Sequence, residues 1–141
     1  AFTVAALDEL VEVTRGYPYF LQEWGYAAWN IAETSPFDVD AVRRATNIAI
    51  RKLDESFFRV RFDRLTPREK DYLRALADLG PGPHRSGDVA ERLGAKVQSI
   101  APLRSGLIRK GMIYSPAHGD TAFTVPLFDE FMLRTMPNWT P

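Results

Sequence analysis

Hydrophobic residues recur along this chain at spacings of three and four, with two short late runs that read as strands instead. Thr3 to Thr14 sets Val4, Leu7, Val11 and Thr14 on one stripe, with Leu10 beside it and Asp8, Glu9 and Glu12 facing away. That periodicity predicts an amphipathic helix, stopped at Arg15-Gly16 where glycine suits a left-handed cap. Pro18 then opens a second helix, to about Glu33, with Phe20, Trp24, Ala27, Ala28 and Ile31 inward; Trp24 and Trp29 are both expected among the core aromatics. After a breaker at Thr34-Ser35-Pro36-Phe37, Asp38 is a good N-cap for a third, long helix. Its inward positions are Val39, Val42, Ala45, Ala49, Leu53, Phe57 and Val60, and it ends near Arg64.

A new unit is expected from Thr66, because Thr66-Pro67-Arg68-Glu69 has the form of a capping box with proline at the first helical position. The helix it opens buries Tyr72, Leu73, Leu76 and Leu79 and stops at Gly80-Pro81-Gly82-Pro83. A short helix from Arg85 or Ser86 carries Val89, Ala90 and Leu93 to Gly94. A third runs from about Gln98 to Lys110 with Ile100, Leu103, Leu107 and Ile108 inward, and Pro102 is tolerable there only near the first turn. Met112 to Ser115 and Ala122 to Val125 have strand character and flank a glycine-containing loop, Pro116 to Thr121. Pro126 is expected to open a last helix with Leu127, Phe128, Phe131, Met132 and Met136 inward. Helix, helix, turn, helix, hairpin is the order of a winged helix-turn-helix. The expected class is therefore mainly α: a helical subdomain over residues 1–64, then a winged helix with a short β-hairpin over 65–141.

Composition narrows the chemistry. At 141 residues, 45% hydrophobic and 26% charged, the chain is an ordinary globular protein of roughly one to one and a half domains. The absence of cysteine rules out thiol catalysis, disulfides and cysteine-based zinc sites. Two histidines, His84 and His118, are too few for a histidine-rich metal cluster, and neither has a serine-carboxylate arrangement around it, so no catalytic set and no metal site is expected. No window is apolar enough to span a bilayer, and no membrane partner is expected. The N-terminus has no basic segment followed by an apolar run, which argues against a signal peptide and for a cytoplasmic location; a chain opening on Ala1 is expected to be a piece of a longer protein.

Net charge is zero. Between 84 and 120, however, Arg85, Arg92, Lys96, Arg104, Arg109 and Lys110 outnumber Asp88, Glu91 and Asp120. This mild excess permits nucleic-acid binding without demanding it. On a helical wheel centred on Ile100, Gln98, Ser105 and Arg109 point outward, where a recognition helix would meet a groove, while Arg104 lies toward the buried flank. With Arg85, Lys96 and Lys110 as phosphate contacts and His118 at the hairpin tip, these form the expected DNA-binding set, equally readable as a solvated face. The Arg43-Arg44 and Arg51-Lys52 pairs are read as the polar face of a long helix.

Two stretches, TRGYPYFLQEWGYAAW (Thr14 to Trp29) and RSGDVAERLG through LRSGLIRKGMIY to FTVPLFDEFMLR, resemble the C-terminal part of prokaryotic AAA+ P-loop ATPases of the archaeal-type, initiator-related and STAND-like group. The resemblance covers nearly the whole chain, with Gly16, Pro18 and Gln22 in a Gly-x-Pro turn as its more specific piece. It implies a helical lid that packs over nucleotide in the parent, with Arg15, Gly16, Tyr17 and Pro18 on the nucleotide-facing edge. It also implies ATP and magnesium in the intact parent, an upstream P-loop domain of the same chain as partner, and a winged helix that contacts DNA or a protein. No G-x-x-x-x-G-K-[ST] occurs, so this chain by itself is expected to bind no cofactor and to be no enzyme. The alternatives left open are a stand-alone winged-helix transcription regulator and a protein interaction module.

Overall fold

The computed structural model describes residues 1–31 and 35–141, and shows a mainly helical protein with a small three-stranded antiparallel sheet. The expected end of the second helix at Glu33, and Thr34 of the expected breaker, lie outside the described residues. The chain forms two compact units, Ala1–Arg59 and Val60–Pro141.

In the first unit, α1 (Val4–Thr14), α2 (Pro18–Ile31) and α3 (Val39–Glu55) pack together. Thr3 caps α1 by accepting from the Ala6 amide at 3.1 Å, and Asp38 caps α3 by accepting from Ala41 at 2.9 Å. The buried face of α1 is Ala6, Leu10 and Thr14, not the expected stripe, for Val4, Leu7 and Val11 are 77%, 46% and 54% exposed. Close packing decides this. Ala6 and Thr14 let α1 approach α3, whose inward face is also small (Ala41, Ala45, Ala49 with Val42 and Leu53), and the buried Thr14 hydroxyl is satisfied by donating to the Leu10 carbonyl at 2.6 Å.

On α2, Phe20, Trp24, Ala27 and Ala28 are buried, and Trp24 donates its indole N–H to Thr46 Oγ1 at 2.8 Å. Trp29 departs from expectation: it is 70% exposed, one residue past Ala28 and so rotated about 100° from it, with an edge contact to Phe37 at 5.8 Å between ring centres. The expected long third helix is broken at Ser56, whose hydroxyl donates to the Lys52 carbonyl at 2.8 Å. The following turn, α4 (Phe57–Phe62), is thereby rephased: Phe58 and Phe62 are buried, Phe57 is half-buried and Val60 is exposed. The division between the two units falls inside α4, after Arg59.

In the second unit, α5 (Pro67–Asp78) opens on a complete capping box: the Thr66 amide donates to Glu69 Oε1 at 2.8 Å and the Glu69 amide to Thr66 Oγ1 at 3.2 Å. Then come β1 (His84–Arg85), α6 (Ser86–Leu93), α7 (Val97–Arg109), β2 (Ile113–Tyr114), β3 (Asp120–Phe123) and α8 (Phe128–Thr135). The sheet order is β1-β3-β2, antiparallel throughout, with His84 opposite Thr121 and Ile113 opposite Phe123. Tyr72, Leu73, Leu76, Val89, Ile100, Leu107, Ile113, Phe128 and Phe131 fill the core of this unit.

Ile108, expected inward on α7, is 38% exposed, and three further details differ from the expected pattern. β1 is two residues long, too short to show any alternation. Pro102 lies in the interior of α7 rather than in its first turn, since the helix begins at Val97; the Gln98 carbonyl therefore has no amide four residues on to accept from. Leu127 is not in α8 but is its N-cap, in the left-handed region at φ 69°, because burying its side chain matters more there than backbone comfort.

Candidate partner-binding surfaces

The turn from α1 to α2 contains the four residues expected to face nucleotide. Arg15 and Gly16 both take left-handed conformations, at φ 56° and 69°. The Arg15, Gly16 and Tyr17 amides donate to the Glu12, Val11 and Thr14 carbonyls at 3.3, 3.1 and 3.1 Å, and Pro18 has no amide to give. Backbone donors here are thus engaged within the turn, and what it offers outward is side chain: Arg15 and Pro18 are exposed, while Tyr17 is half-buried with its ring 4.7 Å from that of Phe20.

The residues expected to meet DNA do not share one fate. Gln98, Ser105 and Arg109 are exposed on α7, and Lys96 is exposed at its N-cap, where its side chain makes no capping bond. Arg104 instead reaches to the sheet, donating to Thr121 Oγ1 at 2.8 Å and to the Asp120 carbonyl at 2.9 Å. Lys110 also turns away from the surface set, donating to Glu69 Oε1 at 2.6 Å and to the Arg64 carbonyl at 3.0 Å. Arg85 and His118 line one shallow cleft with Asp88 and Asp120, so acid and base are interleaved there. Three of the four cations of α3 are paired: Arg43 with Glu9, Arg44 with Asp40 and Lys52 with Glu23.

Charges inside the second unit are locked in pairs that a linear reading could not assemble. Asp78 accepts from both Arg74 and Arg92; Arg74 also donates to the Met136 carbonyl at 2.9 Å, and both guanidinium groups lie over the Trp139 ring, at 5.5 and 5.1 Å. The Trp139 indole in turn donates to Asp71 at 3.0 Å. Burial works against the Asp78 carboxylate, yet the hydrogen bonds from Arg74 and Arg92 outweigh it and hold its pKa below the ordinary value. Glu69 follows the same balance, with burial opposed by Lys110 and the Thr66 amide, and its pKa too is lowered. Tyr72 goes the other way: burial raises its pKa, and Thr121 and Arg104, the polar groups facing it, offset this only in part. Its hydroxyl is fully buried and makes no hydrogen bond of ordinary geometry with either. Only the Arg74–Asp78 spacing of four was visible in sequence; Arg92, Trp139 and the Glu69–Lys110 pair join across 14 to 68 residues.

His84 Nε2 lies 2.8 Å from the Gly80 carbonyl, and beside it Asp88, Glu91 and Arg92 line a second open cleft. Among the described residues no three His, Asp or Glu side chains are grouped to hold a metal ion. None of the described helices is long and apolar enough to cross a membrane.

The fold thus defines a mainly helical protein whose second unit runs helix, strand, helix, helix, hairpin, helix. The chain belongs to the family described as a domain of unknown function, DUF8462, which matches residues 55–132, from the end of α3 into α8. It is also similar to a cysteine–tRNA ligase of Anaeromyxobacter sp. (strain Fw109-5), with 30% identity over 111 residues, which is 79% of this chain and 20% of the ligase. The chain therefore spans about one fifth of the length of that relative. No solved structure matches it significantly.

Proposed function

We propose that this chain is the non-catalytic lid and winged-helix part of a cytoplasmic P-loop ATPase, in which residues 1–64 pack against an upstream ATPase domain and residues 65–141 contact DNA or a protein. The observation that best supports it is α1. Its inward face is complete, with Ala6, Leu10 and Thr14 buried, yet Val4, Leu7 and Val11 form a second apolar stripe open to solvent. A helix apolar on two faces is built to be covered on both. The ATPase domain implied by the family resemblance is the partner for that second face. ATP and magnesium belong to the P-loop of that domain; from this chain Arg15 and Tyr17 are the side chains offered toward the base and phosphates, and Gly16 and Pro18 shape the turn that carries them.

In the intact ATPase, Leu7→Glu combined with Val11→Glu should lower nucleotide-stimulated turnover about tenfold or more, while the melting temperature of the isolated chain stays unchanged because both positions are exposed. Wild-type turnover in that variant would remove the lid assignment. The chain alone should neither hydrolyse ATP nor bind it in the low micromolar range by calorimetry.

The similarity to part of a cysteine–tRNA ligase favours one second reading, an accessory module whose partner is RNA. Lys96, Arg109 and Arg85, which make no ion pair among the described residues, are its phosphate contacts. Titration with tRNA and with duplex DNA at equal salt separates the two nucleic acids.

A further inference from the structure

Pro137 ends α8, because it has no amide to donate and disfavours helical backbone at Met136, which leaves the helix at φ −123° and ψ 62°. The chain then turns, with the Trp139 amide donating to the Met136 carbonyl at 3.4 Å, and the Trp139 side chain comes back onto α5. Its seat is one face of that helix, Asp71, Arg74 and Asp78 at spacings of three and four, completed by Arg92 from α6. Trp139 is half-buried there, while Pro137, Asn138, Thr140 and Pro141 are exposed. Among the described residues, the hydrogen bonds that hold this segment down are both made by Trp139. The seat is complete without the indole: Asp78 accepts from Arg74 and Arg92, and Arg74 donates also to the Met136 carbonyl, upstream of the segment. Lifting Trp139 therefore leaves no buried charge unpaired, and Asp71, itself part-exposed, exchanges the indole for water. The segment lies beyond the residues matched by the family, which end at 132, and Pro141 forms one wall of the cleft of His84, Asp88, Glu91 and Arg92.

We propose that residues 137–141 are a strap that opens and closes on the second unit without unfolding it, with Trp139 as its clasp, and that opening widens the cleft of His84, Asp88, Glu91 and Arg92. Closed, the indole gives its N–H to Asp71 and its ring to the two guanidinium groups. Open, the Arg74–Asp78–Arg92 cluster keeps its own pairs, and the wall at Pro141 is withdrawn. A segment tied by one half-buried side chain, with exposed residues on either side of it, belongs to the least stable part of a fold, where local opening precedes global unfolding.

Hydrogen exchange of the indole N–H groups, followed by NMR on the full chain, tests the strap directly, with the exposed Trp29 as an internal reference. The Trp139 indole should be protected at least about tenfold more than that of Trp29 and at least about a hundredfold less than the buried Leu73 and Leu76 amides of α5. Urea below the unfolding transition should speed the α5 amides and leave the indole unchanged, because opening the strap exposes little surface. Arg92→Lys keeps a charge beside Asp78 but removes the flat guanidinium over the ring, and should lower the protection of the indole about threefold or more while the α5 amides stay as they are. Trp139→Ala should speed diethylpyrocarbonate labelling of His84 about threefold or more, with labelling of His118, at the hairpin tip, unaltered. Indole protection equal to that of the α5 amides, with the same urea dependence, would make Trp139 part of the core and overturn the proposal. Protection no greater than that of Trp29, indifference to Arg92→Lys, or unchanged His84 labelling in Trp139→Ala would overturn it as well.

Discussion

Replacing Asp78 with alanine should destabilise the second unit more than any other single change at a charged residue described above. Asp78 is the one carboxylate among the described residues of that unit that pairs with both Arg74 and Arg92, and its side chain is 18% exposed against 8% for Arg74 and 37% for Arg92. Removing one partner of a buried pair typically costs about 3 to 5 kcal/mol, because the other charge is left without compensation. Arg74 retains the Met136 carbonyl at 2.9 Å, which places its loss near the lower end, about 3 kcal/mol. Arg92 is more than a third exposed, and its pair adds about 0.5 kcal/mol at most. A total near 3 kcal/mol corresponds to roughly 12 to 24 °C in Tm for a domain of this size. The pH dependence follows from the same geometry. The folded pKa of Asp78 lies below its ordinary value of 3.8, so its contribution is fully present above that value and disappears as pH falls through the folded pKa. Thermal melts of the wild type and Asp78→Ala from pH 7 to pH 2.5 measure both effects. The variant should melt earlier at pH 7 and lose less on acidification; Glu69, also lowered, keeps part of the acid sensitivity in place. A shift of under about 4 °C at neutral pH, or parallel acid limbs in the two proteins, would show that Arg74 is accommodated without Asp78 and that the reasoning is wrong.

Other substitutions probe the remaining elements. Thr66→Ala removes the acceptor for the Glu69 amide and should cost about 1 kcal/mol in urea unfolding. Phe20→Ala empties the centre of the aromatic cluster formed with Tyr17, Trp24 and Phe58, for a loss of about 3 to 5 kcal/mol in the first unit. On α1, Leu10→Ala should cost about 2 to 4 kcal/mol and Leu7→Ala under about 0.5, since Leu10 is 7% exposed and Leu7 46%; equal losses would mean that the two faces of the helix have been assigned the wrong way round.

Local chemistry was legible in the sequence wherever it is complete within four residues. The Thr66 box, the Asp38 cap, the Arg15-Gly16 stop and the Gly94 turn all occur at the expected places, because each depends on a hydrogen bond or a backbone angle set by neighbouring residues. Orientation of a helix about its axis was legible only when one face is polar. α1 has two apolar stripes, and periodicity alone cannot choose between them; the choice came from the small residues of α3, more than 25 positions away. Trp29 and Val60 were misplaced for related reasons, the first by one step around a helix rich in aromatics and alanines, the second by the Ser56 break, which shifts the phase of everything after it. On the candidate site, outward positions such as Gln98, Ser105 and Arg109 were readable from the wheel. The engagement of Lys110 was not, since its acceptor Glu69 had already been assigned to a cap, and a single carboxylate oxygen, Oε1, accepts from both the Thr66 amide and Lys110.

Strand β3 is held from three directions: by His84 and Arg85 of β1 on one edge, by Ile113 and Tyr114 of β2 on the other, and by the Arg104 guanidinium at its start. The loop before it, from Pro116 to Gly119, is exposed throughout. A protease that cuts this loop would divide the polypeptide in two, yet β3 and α8 on the downstream piece would stay paired with β1, β2 and α7 on the upstream one. The nicked protein would migrate as two bands under denaturing conditions and as one particle otherwise, so the hairpin tip is where an insertion, an epitope or a fluorescent tag can be placed with least disturbance to the unit.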